Sequence, residues 1–208
     1  DTPAPKVVAF TSSGPGEGKT LTAANIAISY AQNGYKTLLL DLDMRRPRVE
    51  KVLGIERSNI GIVNHLLKDV PLNKITQNYL ENFDIIPVGP VPPNPTALLT
   101  SKKLEEAMNI LKNEYDRIVI DLPPILAAAD ALIISKYTDG IVIVTRAGRT
   151  QKASFRIAYD NIKTSGIKLL GAVINGINSK YSSYYYYYYY YYYTEEGKKV
   201  RRRKRKGS

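Results

Sequence analysis

The chain of 208 residues has no cysteine, no tryptophan, a single histidine and only three phenylalanines. Without cysteine no disulfide framework exists, which fits a reducing compartment. His65, between Asn64 and Leu66 in an expected helix, reads as a surface or structural residue. With no cysteine and no second histidine, the chain shows no zinc-site pattern. No apolar run approaches the ~18–20 residues that cross a bilayer, and no signal peptide is present. The sequence opens on Asp1 rather than Met, as a fragment or a processed product would. Apart from a tyrosine run near the end, nothing repeats, so a solenoid is excluded. What is present is an apolar content of 44%, that of a soluble globular protein, at a length that allows one well-buried core.

The formal charge is +11, which first suggests a nucleic-acid partner. Its distribution argues otherwise. Lys198 to Lys206 hold eight of the 30 basic residues and no acid, and without Thr194 to Ser208 the balance is 22 basic against 17 acidic residues. The body is mildly basic and shows no recognition motif, so nucleic acid is not expected as a partner.

The informative stretch is Val7 to Thr20, VVAFTSSGPGEGKT. A short apolar run gives way to a small-residue loop, then to Lys19-Thr20 and a helix-compatible segment from Leu21 to Gln32. Gly14, Gly16 and Gly18 allow the backbone to turn N–H groups toward phosphate oxygens. The positive end of the helix dipole adds to that field. Lys19 would reach the β- and γ-phosphates and the Thr20 hydroxyl would sit on Mg²⁺. The expected nucleotide-binding residues are Gly14, Pro15, Gly16, Glu17, Gly18, Lys19, Thr20 and Leu21. The usual pattern has glycine six residues before the lysine; here Ser13 stands there.

The rest of the body alternates strands with helices. Thr37–Leu42 and Arg117–Leu122 read as buried strands, and Phe83–Pro87, Gly140–Thr145 and Leu169–Ile174 as further strands. Helical pieces are expected in Glu50–Leu67, then in Leu98–Tyr115, Asp130–Tyr137 and Gln151–Thr164. This predicts an α/β fold in three layers, a mostly parallel central sheet with helices on both faces, like that of the P-loop NTPases. Ligands in such sheets sit beyond the carboxyl ends of the strands. There the phosphate loop, Asp41, Asp43, Asp121 and Asn175 would converge.

Asp121, after RIVI, stands where a carboxylate commonly holds Mg²⁺, often through water. In LLLDLDMRR, strand alternation puts Asp41 and Asp43 on one side and Leu42 on the other. Such a pair repels itself unless a cation offsets it, and Mg²⁺ and Arg45 are the candidates. A solvated pair with neighbouring arginines is the alternative.

Taken together, SSGPGEGKT, LLLDLDMRRP, IVIDLPP, PVGPVPPNPTALL, DGIVIVTRAGRT and the C-terminal tyrosines resemble the cytoplasmic catalytic domain of the bacterial protein-tyrosine kinases tied to capsular and exopolysaccharide synthesis. The resemblance covers about Val7 to Tyr193. It implies ATP and Mg²⁺ as cofactors. It places Lys19 and Thr20 on the phosphates and metal, and Thr20, Asp43 and Asp121 as metal ligands, direct or through water. It makes Asp41 the base or orienting group for a tyrosine hydroxyl, whose unperturbed pKa is ~10. Arg45 or Arg46 would steady developing charge, and Asn175 would contact adenine. Related partition and division-site ATPases carry a signature lysine where this chain has Gly14, which favours the kinase branch. An upstream assembly helix containing glutamate and arginine, implied by the resemblance, is not part of the sequence from Asp1.

Residues 1–178 thus read as a P-loop kinase domain and 179–208 as a mobile tail with a basic end. The expected phosphoacceptors are Tyr181, Tyr184, Tyr185, Tyr186, Tyr187, Tyr188, Tyr189, Tyr190, Tyr191, Tyr192 and Tyr193. The implied activity is autophosphorylation of this cluster, mainly between molecules, in control of surface polysaccharide synthesis or export. The implied partners are neighbouring copies, a membrane chain-length regulator (fused or separate) and a phosphotyrosine phosphatase. The implied location is the cytoplasmic face of the plasma membrane. A partition-type ATPase and a nucleotide-gated docking module without transfer activity are the competing readings. For the basic end two readings stand: binding to anionic lipid, weakened as each phosphate adds about −1.5 to −2 charges nearby, or a solvated charge run that keeps the tyrosine-rich tail soluble. Sedimentation with anionic liposomes tests the first, and equal binding before and after phosphorylation would refute it.

Overall fold

The computed structural model describes residues 4–177. The tyrosine cluster, the basic end and the expected domain boundary at 178 lie outside the described residues. Those residues form a seven-stranded sheet in the order β3-β4-β2-β5-β1-β6-β7. Its strands are β1 (Val7–Ser12), β2 (Thr37–Asp41), β3 (Gln77–Leu80), β4 (Phe83–Ile86), β5 (Arg117–Asp121), β6 (Gly140–Arg146) and β7 (Leu169–Asn175). All neighbours are parallel except β3 and β4.

The longer helices are α1 (Lys19–Gln32), α6 (Lys102–Glu114) and α8 (Lys152–Thr164). Shorter ones are α2 (Val49–Leu53), α3 (Ile62–Lys68), α4 (Leu72–Ile75), α5 (Pro95–Leu99) and α7 (Asp130–Ile134), the last continued by a 3₁₀ turn at Ser135–Tyr137. Strand alternation splits the core. On β1, Val7 and Ala9 pack with Leu104, Met108, Leu111 and Ile162 on one face. Val8 and Phe10 pack with Ala23, Ala24, Ala27 and Ala31 on the other. The continuous apolar runs of β1, β2 and β5 therefore belong to strands covered on both faces, whereas the LLGAVI run of the edge strand β7 is half-buried to exposed. The alanines of α1 carry little side-chain bulk, and that helix lies close on the sheet.

The strand order puts a topological switch beside β1. The chain leaves β1 through α1 and reaches β2, beyond β5; later it leaves β5 and reaches β6, on the far side of β1. The connections diverge at the carboxyl end of β1, and the crevice opens there.

Several boundaries differ from the sequence reading. β2 stops at Asp41 rather than Leu42. The expected helix from Leu98 divides into α5 and α6, because the Ser101 side chain accepts from the Leu104 N–H and caps a new helix. β3 went unread. Its QNYL is polar, alternates half-buried and exposed, and forms the antiparallel edge by turning at Asn82, where φ is +58°. Asparagine tolerates that left-handed conformation. Among the described residues no helix is long and apolar enough to cross a membrane.

Candidate active site

The loop between β1 and α1 wraps back on itself. Gly16 and Gly18 have φ of +76° and +95°, values that L side chains rarely adopt. A Cβ on Gly18 would also collide with the side-chain amide of Asn175, so the end of β7 packs directly on the phosphate loop. The loop continues into α1, and Lys19 and Thr20 open the helix as buried residues.

Lys19 is the hub of the site. Its Nζ lies 2.8 Å from Asp43 Oδ2 and 3.2 Å from both carboxylate oxygens of Asp121. It donates to the Thr20 hydroxyl at 3.3 Å, and that hydroxyl donates to Asp121 Oδ2 at 2.7 Å. Burial by itself pulls the Lys19 ammonium down, but Asp121 and Asp43 outweigh it and raise its pKa above the ordinary lysine value. Asp121 is fully buried, and burial raises its pKa against the opposing pull of Lys19 and Thr20. Asp41 is raised well above the aspartate range, first by burial and then by Asp121.

The two strand-end aspartates do not do the same thing. Because β2 ends at Asp41, the turn that follows re-aims Asp43. The Asp43 carboxylate reaches Lys19 and lines the cavity above the loop. Asp41 sits behind it, accepting the backbone N–H of Asp43 at 3.0 Å and of Val49 at 3.3 Å.

That cavity has a volume of about 610 Å³ and includes Pro15, Gly16, Gly18, Lys19, Thr20 and Leu21 in its lining. Gly14 and the Glu17 side chain lie outside it: Gly14 accepts from Ser12 Oγ, and Glu17 is turned inward. Arg45 is also outside. Its guanidinium makes a two-pronged bond to buried Asp130, at 3.0 and 3.1 Å, and this bond raises its pKa. The cations on the cavity wall are instead Lys19, Arg46, Arg48, Arg146 and Arg149. Arg48, Arg146 and Arg149 were missed in the sequence. The signal for the last two was available, since TRAGRT follows a buried parallel strand at its carboxyl end.

With five cations on its wall and Asp43 as the acid, the cavity suits a polyanion. Among the described residues no group of three or more His, Cys, Asp or Glu side chains forms a metal cage. Mg²⁺ rarely needs one, since it uses one or two carboxylates together with phosphate oxygens and water. The Thr20 hydroxyl, Asp43 and Asp121 are hard oxygen donors gathered around a single ammonium, and they fit that ion.

A family model described as an AAA domain matches residues 5–151. The chain is 42% identical over 181 residues to the tyrosine-protein kinase YwqD of Bacillus subtilis, covering 86% of this chain and 76% of that protein. Among solved structures it resembles the chimerical protein CapA2B2 with a TM-score of 0.81 and 34% identity, over 85% of this chain and 78% of that one. It also resembles the septum site-determining protein MinD of Pyrococcus horikoshii complexed with Mg-ADP, with a TM-score of 0.67 and 26% identity, over 81% and 69% of the two chains. By these likenesses the chain belongs to the bacterial tyrosine-protein kinases.

Proposed function

We propose that this kinase is an ATP- and Mg²⁺-dependent autokinase that phosphorylates its C-terminal tyrosines, mainly on neighbouring copies, and so regulates the synthesis or export of a surface polysaccharide. The observation that carries the reading is the Lys19 ammonium held between Asp43 and Asp121, beside the Thr20 hydroxyl and under a wall of arginines. In phosphoryl transfer the protein mainly positions groups and offsets charge. Lys19, Arg46, Arg48, Arg146 and Arg149 supply the cations for the phosphates. Thr20, Asp43 and Asp121 hold Mg²⁺, which offsets charge on the phosphate oxygens when bound. Asp43, which lines the cavity, orients the tyrosine hydroxyl, and Asp41 behind it holds the turn by accepting the Asp43 and Val49 N–H groups.

Arg45, committed to Asp130, serves this site by fixing the turn that carries Arg46 and Arg48. Asn175, whose side chain packs on Gly18, contacts the adenine in this reading. The partners in this reading are further copies of the chain, a membrane chain-length regulator, a phosphotyrosine phosphatase and anionic lipid at the cytoplasmic face of the membrane.

Incubation with ATP and Mg²⁺, followed by intact mass and peptide mapping, tests the reading. We expect additions of whole phosphates on Tyr181 and Tyr184 to Tyr193, absent in Lys19→Met. Release of phosphate to water without tyrosine modification would instead mark an ATPase and overturn the proposal.

A further inference from the structure

A carboxylate inside a phosphate-binding loop is at first sight misplaced, because it repels the ligand the loop serves. Glu17 is such a group, and it is only 5% exposed. Its charge is taken up on the side away from the cavity. The Ser13 hydroxyl lies 3.0 Å from both carboxylate oxygens, and the Gly14 N–H donates at 3.1 Å. These bonds explain the departure at Ser13 from the usual loop pattern. The position that is commonly glycine holds a hydroxyl here, and that hydroxyl is engaged by the acid four residues on.

The fourth contact leaves the loop. Thr150 Oγ1 donates to Glu17 Oε1 at 2.6 Å across 133 residues of sequence. A hydroxyl has one proton, so with that proton on Glu17 the same oxygen is free to accept, and it accepts the Arg146 N–H at 2.8 Å. The short turn between β6 and α8, which carries Arg146 and Arg149, is therefore anchored through Thr150 to the phosphate loop. Both arginines reach back over Gly16. Arg146 Nη1 lies 3.4 Å from the Gly16 carbonyl oxygen, and a Cβ on Gly16 would stand 3.1 Å from the Arg149 guanidinium. Both line the cavity.

We propose that Glu17 and Thr150 are positioning residues: together they lock the arginine-bearing β6–α8 turn to the phosphate loop and hold Arg146 and Arg149 on the nucleotide phosphates. The proposal rests on the nucleotide reading of the cavity given above. The negative charge of Glu17 is the cost of a clamp that brings two positive charges to the phosphates. Charge-assisted bonds of this kind are shorter and stronger than neutral ones, which suits a joint between segments so far apart in sequence.

The test is the affinity for ATP, measured by titration calorimetry on the full chain, so that it stands apart from any transfer activity. Thr150→Val keeps the size and removes the hydroxyl; it is expected to weaken ATP about tenfold. Thr150→Ser restores the hydroxyl and should bind within about twofold of the wild type. In a background where Arg146 and Arg149 are both alanine, Thr150→Val should cost nothing further, because the clamp then has no arginines to place. The proposal is overturned if Thr150→Val binds ATP as the wild type does. It is overturned equally if the loss is the same size with and without the arginines, since the hydroxyl would then only stiffen the phosphate loop. A wild-type chain that fails to bind ATP would remove the nucleotide reading itself, and the clamp with it. Normal affinity with no tyrosine modification would leave the clamp standing and refute the autokinase instead.

Discussion

Replacing Lys19 with methionine is expected to lower phosphotransfer by at least about 10³-fold, because the proposed function assigns this buried cation to the phosphates. The same change should expose what the lysine does for the fold. Asp41, Asp43 and Asp121 are all buried around it, and Asp41 and Asp121 already have pKa values raised by burial, with Lys19 opposing the rise. Without Lys19 both rise further. A carboxyl whose folded pKa exceeds its unfolded value contributes stability fully below the unfolded value and loses it as the pH climbs through the folded one. The deficit of Lys19→Met should therefore be largest at neutral pH, about 3–5 kcal/mol, and shrink on acidification toward about pH 5. Lys19 in the wild type obeys the same sign at the alkaline end. Its raised pKa means that its contribution is full below the ordinary lysine range and lost above it. Urea denaturation of both proteins at the two acidities measures the effect. A deficit independent of pH would show that the carboxylates do not depend on Lys19.

Asp121→Asn is expected to separate activity from stability. Asparagine keeps the shape and an oxygen that can accept from the Thr20 hydroxyl, while Lys19 retains Asp43 at 2.8 Å. What disappears is one of three like charges and, in the proposed function, a charged metal ligand. Transfer should fall about 10²–10³-fold. The protein without nucleotide or metal should be at least as stable as the wild type at neutral pH, by up to about 1 kcal/mol. Mg²⁺ and ATP together should then raise the melting temperature of the wild type more than that of the variant, since ligands stabilise in proportion to their binding. Calorimetric melting with and without both ligands decides it. An unliganded variant clearly less stable than the wild type would mean that Asp121 is held mainly as an ion-pair partner.

Much of the fold was legible because its signals are local. A strand buried on both faces needs a run of apolar residues, and LLLDLD, RIVIDL and GIVIVT supply such runs wherever the chain places them. The phosphate loop was legible for a related reason: its glycines, Lys19 and Thr20 are adjacent in sequence and do their work within one turn. β3 carried no such signal. QNYL is polar, and it becomes a strand only because Asn82 turns it back on β4 and the sheet edge needs just one covered face.

The sequence by itself determined the nucleotide loop, the alternating α/β order and the acids at the strand ends. Only the tertiary structure decided how equivalent residues divide their roles. Arg45, Arg46 and Arg48 are nearly interchangeable on paper. Arg45 is withdrawn because Asp130, 85 residues away, is buried and must be paired, and a buried carboxylate without a partner is far more costly than an exposed arginine without one. Asp43 lines the cavity and Asp41 does not, because β2 stops one residue before the alternation would have carried both inward. Glu17 looked like part of the ligand site and is turned away from it, toward Thr150. In each case the deciding partner is distant in sequence, and electrostatics and hydrogen bonding act through space, so the outcome depended on which residues the sheet brought together.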